Sequence, residues 1–233
     1  MKLGLNNNLV TPNVGAVGAE FSLADISGLQ LWLKYDTGQG TITNGIQWDD
    51  SSGNNRHASQ TLDAQEGSGF SGGAFVTDAN NNDNLDLATT FDLTGAYHIF
   101  VVLNLSQESD ETFVSSVDNT SFIRFAQSGT AIAYRMKNGG TTLNITLSAG
   151  FGTTKAIAEI SRNASNSVTV LKDGTSLGNG TGSGTFEFEQ IGTSSNSITS
   201  GEIHEVVVFN TLLTGSDLTN VRNDIADRNG ITI

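Results

Sequence analysis

Cysteine is absent from this 233-residue chain, and proline occurs once, at Pro12. Without cysteine, neither a disulfide framework nor a thiolate metal site can form, so stability must come from packing. Basic residues are also scarce, because 11 Lys and Arg stand against 24 Asp and Glu for a formal net charge of −13. Nucleic-acid binding normally needs a basic footprint, and we therefore expect no nucleic-acid partner.

Long apolar runs are missing as well. The amino terminus carries no run of signal-peptide length, and no later segment has the roughly 20 apolar residues that span a bilayer. We expect no membrane partner, no signal peptide and synthesis in a cytoplasm.

Residues 1–26 differ from the rest of the chain, because they show no sustained period and hold the sole proline. They are predicted to form an extended arm that precedes one domain over residues 27–233. The arm is either a disordered leader or a segment that adds to the sheet edge of a neighbouring protein. Its apolar residues are candidate anchors for a partner: Leu3, Leu5, Leu9, Val10, Val14 and Val17.

Short alternating apolar runs, separated by Gly, Asn, Ser and Thr, fill most of the remaining sequence. This pattern is typical of an all-β domain with many turns. Residues 96–106 are apolar on both faces and predict a central strand, whereas Asn44-Gly45 predicts a tight hairpin. We expect two packed antiparallel sheets of about six strands each.

The carboxyl-terminal part predicts a strand followed by one short amphipathic helix. Residues 202–209 alternate as a strand does, Ser216 is positioned to cap the helix, and Gly230 to end it. The helix is expected to cover a sheet edge or the end of the sandwich. Its apolar face is formed by Leu218, Val221 and Ile225.

Three stretches carry a resemblance to a known family. G-L-Q-L-W-L-K-Y-D at 28–36 with W-D-D-S-S-G-N-N-R-H-A-S-Q at 48–60 resembles a first strand and the loop after it. Residues 82–103 resemble the entry into the central strand, and K-D-G-T-S-L-G-N-G at 172–180 resembles a tight hairpin. Over residues 27–233 the chain is similar to the laminin-G-like, concanavalin A-like jelly-roll domains. The resemblance implies an all-β, two-sheet antiparallel jelly-roll sandwich with one short C-terminal helix and an extended N-terminal arm.

This family includes lectins, glycanases, adhesion modules and virion proteins, so the fold alone does not define a function. As a cysteine-free chain without a signal peptide that starts with a short M-K-L-G-L arm, it is most similar to bacteriophage virion accessory proteins. The leading hypothesis is a non-enzymatic capsid decoration, tail or fibre protein that is anchored to other virion proteins by its arm. It would contact surface glycans and could form homo-oligomers. The alternative is a free carbohydrate-binding lectin module with calcium in its rim loops.

Catalysis by a carboxylate pair is not expected. Glu202 and Glu205 lie three residues apart, which on a flat strand points them to opposite faces. Glu187 and Glu189 share a face, but they alternate with phenylalanines as a solvated strand face does. The glu-x-asp-x-x-glu pattern of the family's glycanases is absent, so we predict no enzyme. His98, in the central strand, is predicted to be a core histidine with a hydrogen-bond partner.

Calcium is the metal that the sequence could accommodate, since hard cations need several converging oxygens. Two polar loops offer them, although tight turns select the same residue types. The sequence establishes no cofactor, and calcium is the candidate that we retain. The first set is Asp49, Asp50, Asn54 and Asn55, and the preferred set, in a longer insertion, is Asp78, Asn80, Asn82 and Asp83.

A sugar site would need an aromatic platform beside polar groups. Trp48 and Tyr134 are the candidate ligand-binding residues, and Tyr35 is a third aromatic of this kind. All three lie at alternating strand positions that core packing also explains.

Overall fold

The computed structural model describes residues 21–61, 69–77, 83–105, 112–126, 131–138, 142–192 and 201–233. Within these ranges the chain forms seventeen strands, one α-helix and a 3-10 turn at Leu23–Asp25. The predicted all-β sandwich with one C-terminal helix is confirmed. The six apolar anchors predicted between Leu3 and Val17 lie outside the described residues. The strands are β1 Leu29–Leu33, β2 Gln39–Ile42, β3 Gly45–Trp48, β4 Ala58–Thr61, β5 Gly69–Ser71, β6 Ala74–Thr77, β7 Asn84–Leu93, β8 Tyr97–Leu105, β9 Thr112–Ser115, β10 Phe122–Ala126, β11 Ala131–Arg135, β12 Leu143–Thr146, β13 Ala156–Arg162, β14 Ser167–Lys172, β15 Thr175–Thr181, β16 Phe186–Gly192 and β17 Gly201–Phe209, and the helix is α1 Gly215–Asn229.

The strands form two antiparallel sheets. Sheet A has eight strands in the order β15-β14-β13-β8-β17-β6-β5, with β1 paired to the second half of β17. Sheet B has nine strands in the order β12-β11-β10-β9-β16-β7-β4-β3-β2. Both sheets are larger than the six strands predicted. The polar stretch from 39 to 77 contributes five strands of three or four residues, too short to show a clear alternation.

The main core lies between the two sheets. Strand β8 pairs with β13 on one side and β17 on the other, so it is central, as the doubly apolar sequence predicted. Its Ile99 and Val101 face sheet B, whereas Phe100 and Val102 face the opposite side of sheet A. A strand that is buried on both faces needs a covering layer on each side.

Helix α1 provides the second covering layer. It packs on the outer face of sheet A rather than at a sheet edge or the sandwich end, which corrects the expectation from the sequence. The outward side chains of four strands are apolar, and the helix removes them from water. This second core consists of Leu23, Trp32, Phe100, Val102, Ile157, Val207, Phe209, Leu213, Val221, Ile225 and Ala226.

The ends of α1 differ in how well the sequence predicted them. Gly230 ends the helix as predicted, in the left-handed conformation with φ 66°. The helix starts earlier than expected, so Thr214 rather than Ser216 is the N-cap residue. In the described part of the chain, no helix is long and apolar enough to cross a membrane.

Two residues of the range assigned to the arm belong to the folded body. Leu23 is fully buried in the second core, and Ile26 packs against the same cluster. The compact part of the chain therefore includes residues before position 27.

The predicted hairpin forms between β2 and β3. Ile42 pairs with Gly45, so the two-residue loop is Thr43-Asn44, one position earlier than the Asn-Gly pair suggested. Asn44 adopts φ 59°, which asparagine tolerates. Gly45 is required by packing, because a Cβ there would approach the Gln60 carbonyl oxygen far inside contact distance.

Candidate functional site

An open cleft of about 360 Å³ lies on sheet A where β17 begins. Here β17 runs between β6 and β8, and Glu202 pairs with Val76 on one side and with Asn104 on the other. Directly paired residues share a face of the sheet, so these three side chains form one row across three strands. Thr77 and Thr153 also line the cleft.

Hydrogen bonds fix the polar groups of this row. The Asn104 amide donates to Glu202 Oε2 over 3.3 Å, and His204 Nε2 lies 3.1 Å from the same oxygen. Thr77 Oγ1 donates to the Gly201 carbonyl oxygen over 3.3 Å. The Glu202 side chain retains 39% exposure, so its carboxylate is positioned by neighbours and still open to a ligand.

His204 connects the cleft to an aromatic ring. Its imidazole is almost buried and lies 5.7 Å from the Tyr35 ring, centroid to centroid. Lys155 Nζ lies 5.1 Å from the centroid of the same Tyr35 ring. Burial, and then the positive charge of Lys155, lower the pKa of His204 although Glu202 opposes this. The imidazole beside Glu202 is therefore neutral near pH 7.

A β-bulge overturns the prediction that Glu202 and Glu205 point to opposite faces. Ile203 pairs with Leu103 and Glu205 with Val102, so His204 is an extra residue without a partner on β8. The inserted residue shifts the alternation by one position. Both glutamates consequently face the outer side of sheet A.

The two glutamates nevertheless have separate environments. Glu205 is 1% exposed and lies beneath α1, where it accepts hydrogen bonds from Trp32 Nε1 (2.8 Å), Arg228 Nε (3.1 Å) and Asn229 Nδ2 (2.6 Å). Burial raises the pKa of Glu205, although the Arg228 charge opposes this. These partners belong to the contact between α1 and sheet A, so the Glu205 carboxyl is not accessible to a ligand in the cleft.

The second carboxylate pair, Glu187 and Glu189, accepts hydrogen bonds from a turn. Glu187 and Glu189 share the outer face of sheet B, as predicted. Glu187 accepts a hydrogen bond from Thr120 Oγ1 (2.7 Å) and pairs with Lys137, and Glu189 accepts one from the Val117 amide (2.7 Å). Both groups hold the turn between β9 and β10.

His98 is a core residue, as predicted, but neither ring nitrogen has the predicted hydrogen-bond partner among the described residues. It is 2% exposed, stacks on Phe100 with 4.3 Å between centroids, and lies 3.5 Å from a Glu159 oxygen. Burial lowers its pKa, which Glu159 only partly offsets. Glu159 is itself fully buried and accepts two hydrogen bonds, of 2.8 and 2.7 Å, from Arg222 of α1.

The two aromatics predicted to bind a ligand lie in the core between the sheets. Trp48 is 0% exposed and donates from Nε1 to the Lys34 carbonyl oxygen, and Tyr134 is 1% exposed and stacks on Phe186. Tyr134 borders a recess of about 200 Å³ near Asn144, but only 1% of its surface is exposed. A stacking platform needs an exposed ring, so the ligand-binding prediction for this pair does not fit their burial. Tyr35 is the aromatic of the three that stays partly exposed.

In the first candidate calcium loop, the polar side chains of Asp50 and Asn54 form hydrogen bonds within the protein. The Asp50 carboxylate accepts bonds from the Trp32, Ser52 and Arg56 amides, of 3.0, 2.9 and 3.0 Å. The Asn54 amide group donates to backbone carbonyl oxygens of β1. Turn formation explains this loop, and no group of three or more His, Asp or Glu side chains that could hold a metal ion is found among the described residues.

The preferred calcium set falls mostly outside the described residues, namely Asp78, Asn80 and Asn82. Asp83, its fourth member, is fully buried just before β7. Calcium binding at this loop stays a prediction.

The cleft residues Asn104, Thr77 and Thr153 were missed by the sequence reasoning. Asn104 is a polar side chain in a strand whose other residues are almost all apolar, and this break in the pattern was a usable signal. The adjacency of β6, β8 and β17 could not be predicted from the sequence, because β17 pairs with strands that lie far earlier in the chain.

The architecture is that of a two-sheet, jelly-roll-like β-sandwich. No family model and no curated protein matches the sequence. Solved structures with a similar fold include the binding domain of botulinum neurotoxin serotype C1 (TM-score 0.58, 16% identity) and that of Paraclostridial Mosquitocidal Protein 1 (TM-score 0.57, 15% identity). A third comes from work describing entry of botulinum neurotoxin type C as dependent on two ganglioside molecules (TM-score 0.59, 15% identity).

These matches cover 87 to 88% of this chain but only 53% of each of the other chains. The chain thus spans about half the length of its structural neighbours. At such identities the likeness shows the fold alone.

Proposed function

We propose that this protein is a non-enzymatic binding domain that holds a carbohydrate in the sheet A cleft. The observation that carries the proposal is the row of Val76, Glu202 and Asn104 across three strands, which offers hydrogen-bonding groups beside an apolar side chain in an open cleft. The volume of about 360 Å³ falls at the small end of the range for ligand sites. A sugar presents hydroxyl groups at its rim and C–H groups on its faces, which matches such a surface.

Two further observations support a binding role. The structural neighbours are described as binding domains, and one is described as needing gangliosides for cell entry. The two carboxylate pairs considered in the sequence analysis do not form an active site among the described residues, because Glu205 is covered by α1 while Glu187 and Glu189 hold a turn. Hydrolysis of a glycosidic bond needs two carboxyl groups that flank it.

The test is glycan-array binding followed by calorimetry with the best ligand. Replacing Asn104→Ala removes one cleft hydrogen bond and should weaken binding about 5- to 20-fold. Asn179→Ala is the matched control, since Asn179 is an exposed asparagine on β15 of the same sheet, and its affinity should equal that of the wild type. No glycan binding, or equal loss in both variants, would contradict the proposal.

A finer form of the proposal places the protein on a bacteriophage virion, as a decoration, tail or fibre component that presents the cleft to surface glycans. It is supported by the apolar residues of the arm and by the acidic, cysteine-free composition. Particles assembled with a variant that lacks residues 1–20, which leaves Leu23 in place, should lose the protein. Full occupancy without the arm would refute the anchoring.

The lectin alternative adds calcium near Asp83. It is supported by the position of the preferred loop, since Asp78 directly follows Thr77 of the cleft. A melting temperature that rises with calcium and falls again with a chelator would support it. An unchanged melting temperature would leave the cleft as a metal-free site.

A further inference from the structure

Two hydrogen-bond acceptors of the cleft have no partner within the described part of the chain. Both contacts to the Glu202 carboxylate, from Asn104 and His204, use Oε2. Among the residues that the structure describes, Oε1 of Glu202 and Oδ1 of Asn104 have no hydrogen-bond partner. A ligand in the cleft therefore meets two acceptor oxygens on neighbouring strands and is bound best by groups that donate.

The charge of the cleft is negative. Glu202 is the one ionisable side chain among the described residues that line it. His204 does not neutralise this charge, because it is almost buried and lies near the positive Lys155. Lys155 keeps its positive charge over the Tyr35 ring but is not among the described residues that line the cleft, and the whole chain carries a net charge of −13. An anionic group in contact with Glu202 is repelled by its carboxylate, and the net charge of the chain adds a repulsion at long range.

We infer that the cleft selects uncharged sugars with adjacent hydroxyl groups and discriminates against sugars with a carboxylate, with Glu202 as the residue that determines this specificity. The inference rests on the proposed function and concerns the same site. Two neighbouring hydroxyls can donate to Glu202 Oε1 and Asn104 Oδ1, whereas a sialic acid carboxylate can donate to neither. Bonds to a charged acceptor are the stronger kind, so Glu202 contributes both attraction and exclusion.

The experiment uses matched pairs of free oligosaccharides that differ only in sialic acid, lactose with sialyllactose and N-acetyllactosamine with its sialylated form. Titration calorimetry should show at least about tenfold tighter binding of the uncharged member to the wild-type protein at low salt. High salt should reduce the ratio, because screening weakens the repulsion.

Two substitutions should move the ratio in opposite directions. Glu202→Gln keeps the shape and removes the charge, so the ratio should fall toward one. Asn104→Asp adds a second carboxylate, so the ratio should rise. Asp217→Asn is the control for net charge, because Asp217 is an exposed residue of the first turn of α1, and it should leave the ratio unchanged. Circular dichroism confirms that each variant is folded.

The outcomes separate the two proposals. If no oligosaccharide of either kind, and no glycan of the array, binds the wild-type protein, the proposed function fails. If sialylated members bind as tightly as their partners or more tightly, the carbohydrate site stands and the inference about its specificity is overturned. That inference is likewise overturned if Glu202→Gln and Asn104→Asp leave the ratio unchanged.

Discussion

Arg228 of α1 and Glu205 of β17 form an ion pair beneath the helix, with 3.0 Å between Nη2 and Oε1. The Glu205 side chain is 0% exposed and that of Arg228 is 17% exposed. Together with Arg222 and Glu159, this pair fastens the helix to the outer face of sheet A. The helix thus covers one part of that face, and the cleft occupies another.

Removing the arginine should destabilise the fold strongly. Arg228→Ala leaves the Glu205 carboxylate buried without its charge partner, which should lower the free energy of unfolding by about 3–5 kcal/mol. Lys137→Ala is the control, because its pair with Glu187 has a lysine that is 46% exposed and screened by solvent, so its effect should be much smaller than that of Arg228→Ala. Urea denaturation measures the free energy of unfolding of both variants. Equal effects would contradict the stabilising role of the ion pair between Arg228 and Glu205.

Acid should weaken the fold through His98. Burial lowers its pKa below the ordinary 6.5, so the unfolded chain binds a proton more readily than the folded one. Its contribution is therefore present above pH 6.5 and is lost as the pH falls through the folded pKa, with a slope of up to about 1.4 kcal/mol per pH unit. His98→Gln should reduce that slope in urea denaturation series between pH 7 and 5. An unchanged slope would contradict the role given to this histidine.

The hairpin offers a matched pair of glycine substitutions. Gly45→Ala would drive a Cβ into the Gln60 carbonyl oxygen and should cost about 1–3 kcal/mol of unfolding free energy. Gly40→Ala, on the neighbouring strand β2, meets no atom within 4 Å and should change stability by less than about 0.5 kcal/mol. Thermal denaturation of both variants checks this, and similar melting temperatures would refute the close approach at Gly45.

The sequence was sufficient for the architecture wherever a strong pattern matched a buried element. The apolar residues on both faces of 96–106 predicted the central strand β8, and the spacing of Val221 and Ile225 predicted the inner face of α1. The pattern failed where one inserted residue, His204, changed the facing of Glu205. A bulge depends on pairing with a distant strand, and no local signal marks it.

The site was much less predictable than the fold. Trp48 and Tyr134 have the chemistry of a sugar platform, but burial depends on the partner sheet and not on residue type. Asn104 and Glu202 meet because β8 and β17 pair across about 100 residues of sequence. Their register follows from the assembled sheet, so composition and spacing could not place them together.

The cleft as a carbohydrate site is tested most directly by mapping a bound sugar onto the protein. An uncharged oligosaccharide that binds in the array should be titrated into isotopically labelled protein while the backbone amide chemical shifts are followed. We predict that the largest saturable changes cluster at Thr77, Asn104 and Glu202, and that Asn104→Ala weakens them. Changes that cluster elsewhere, such as at the recess beside Tyr134, or no saturable change at all, would contradict a carbohydrate site in the cleft.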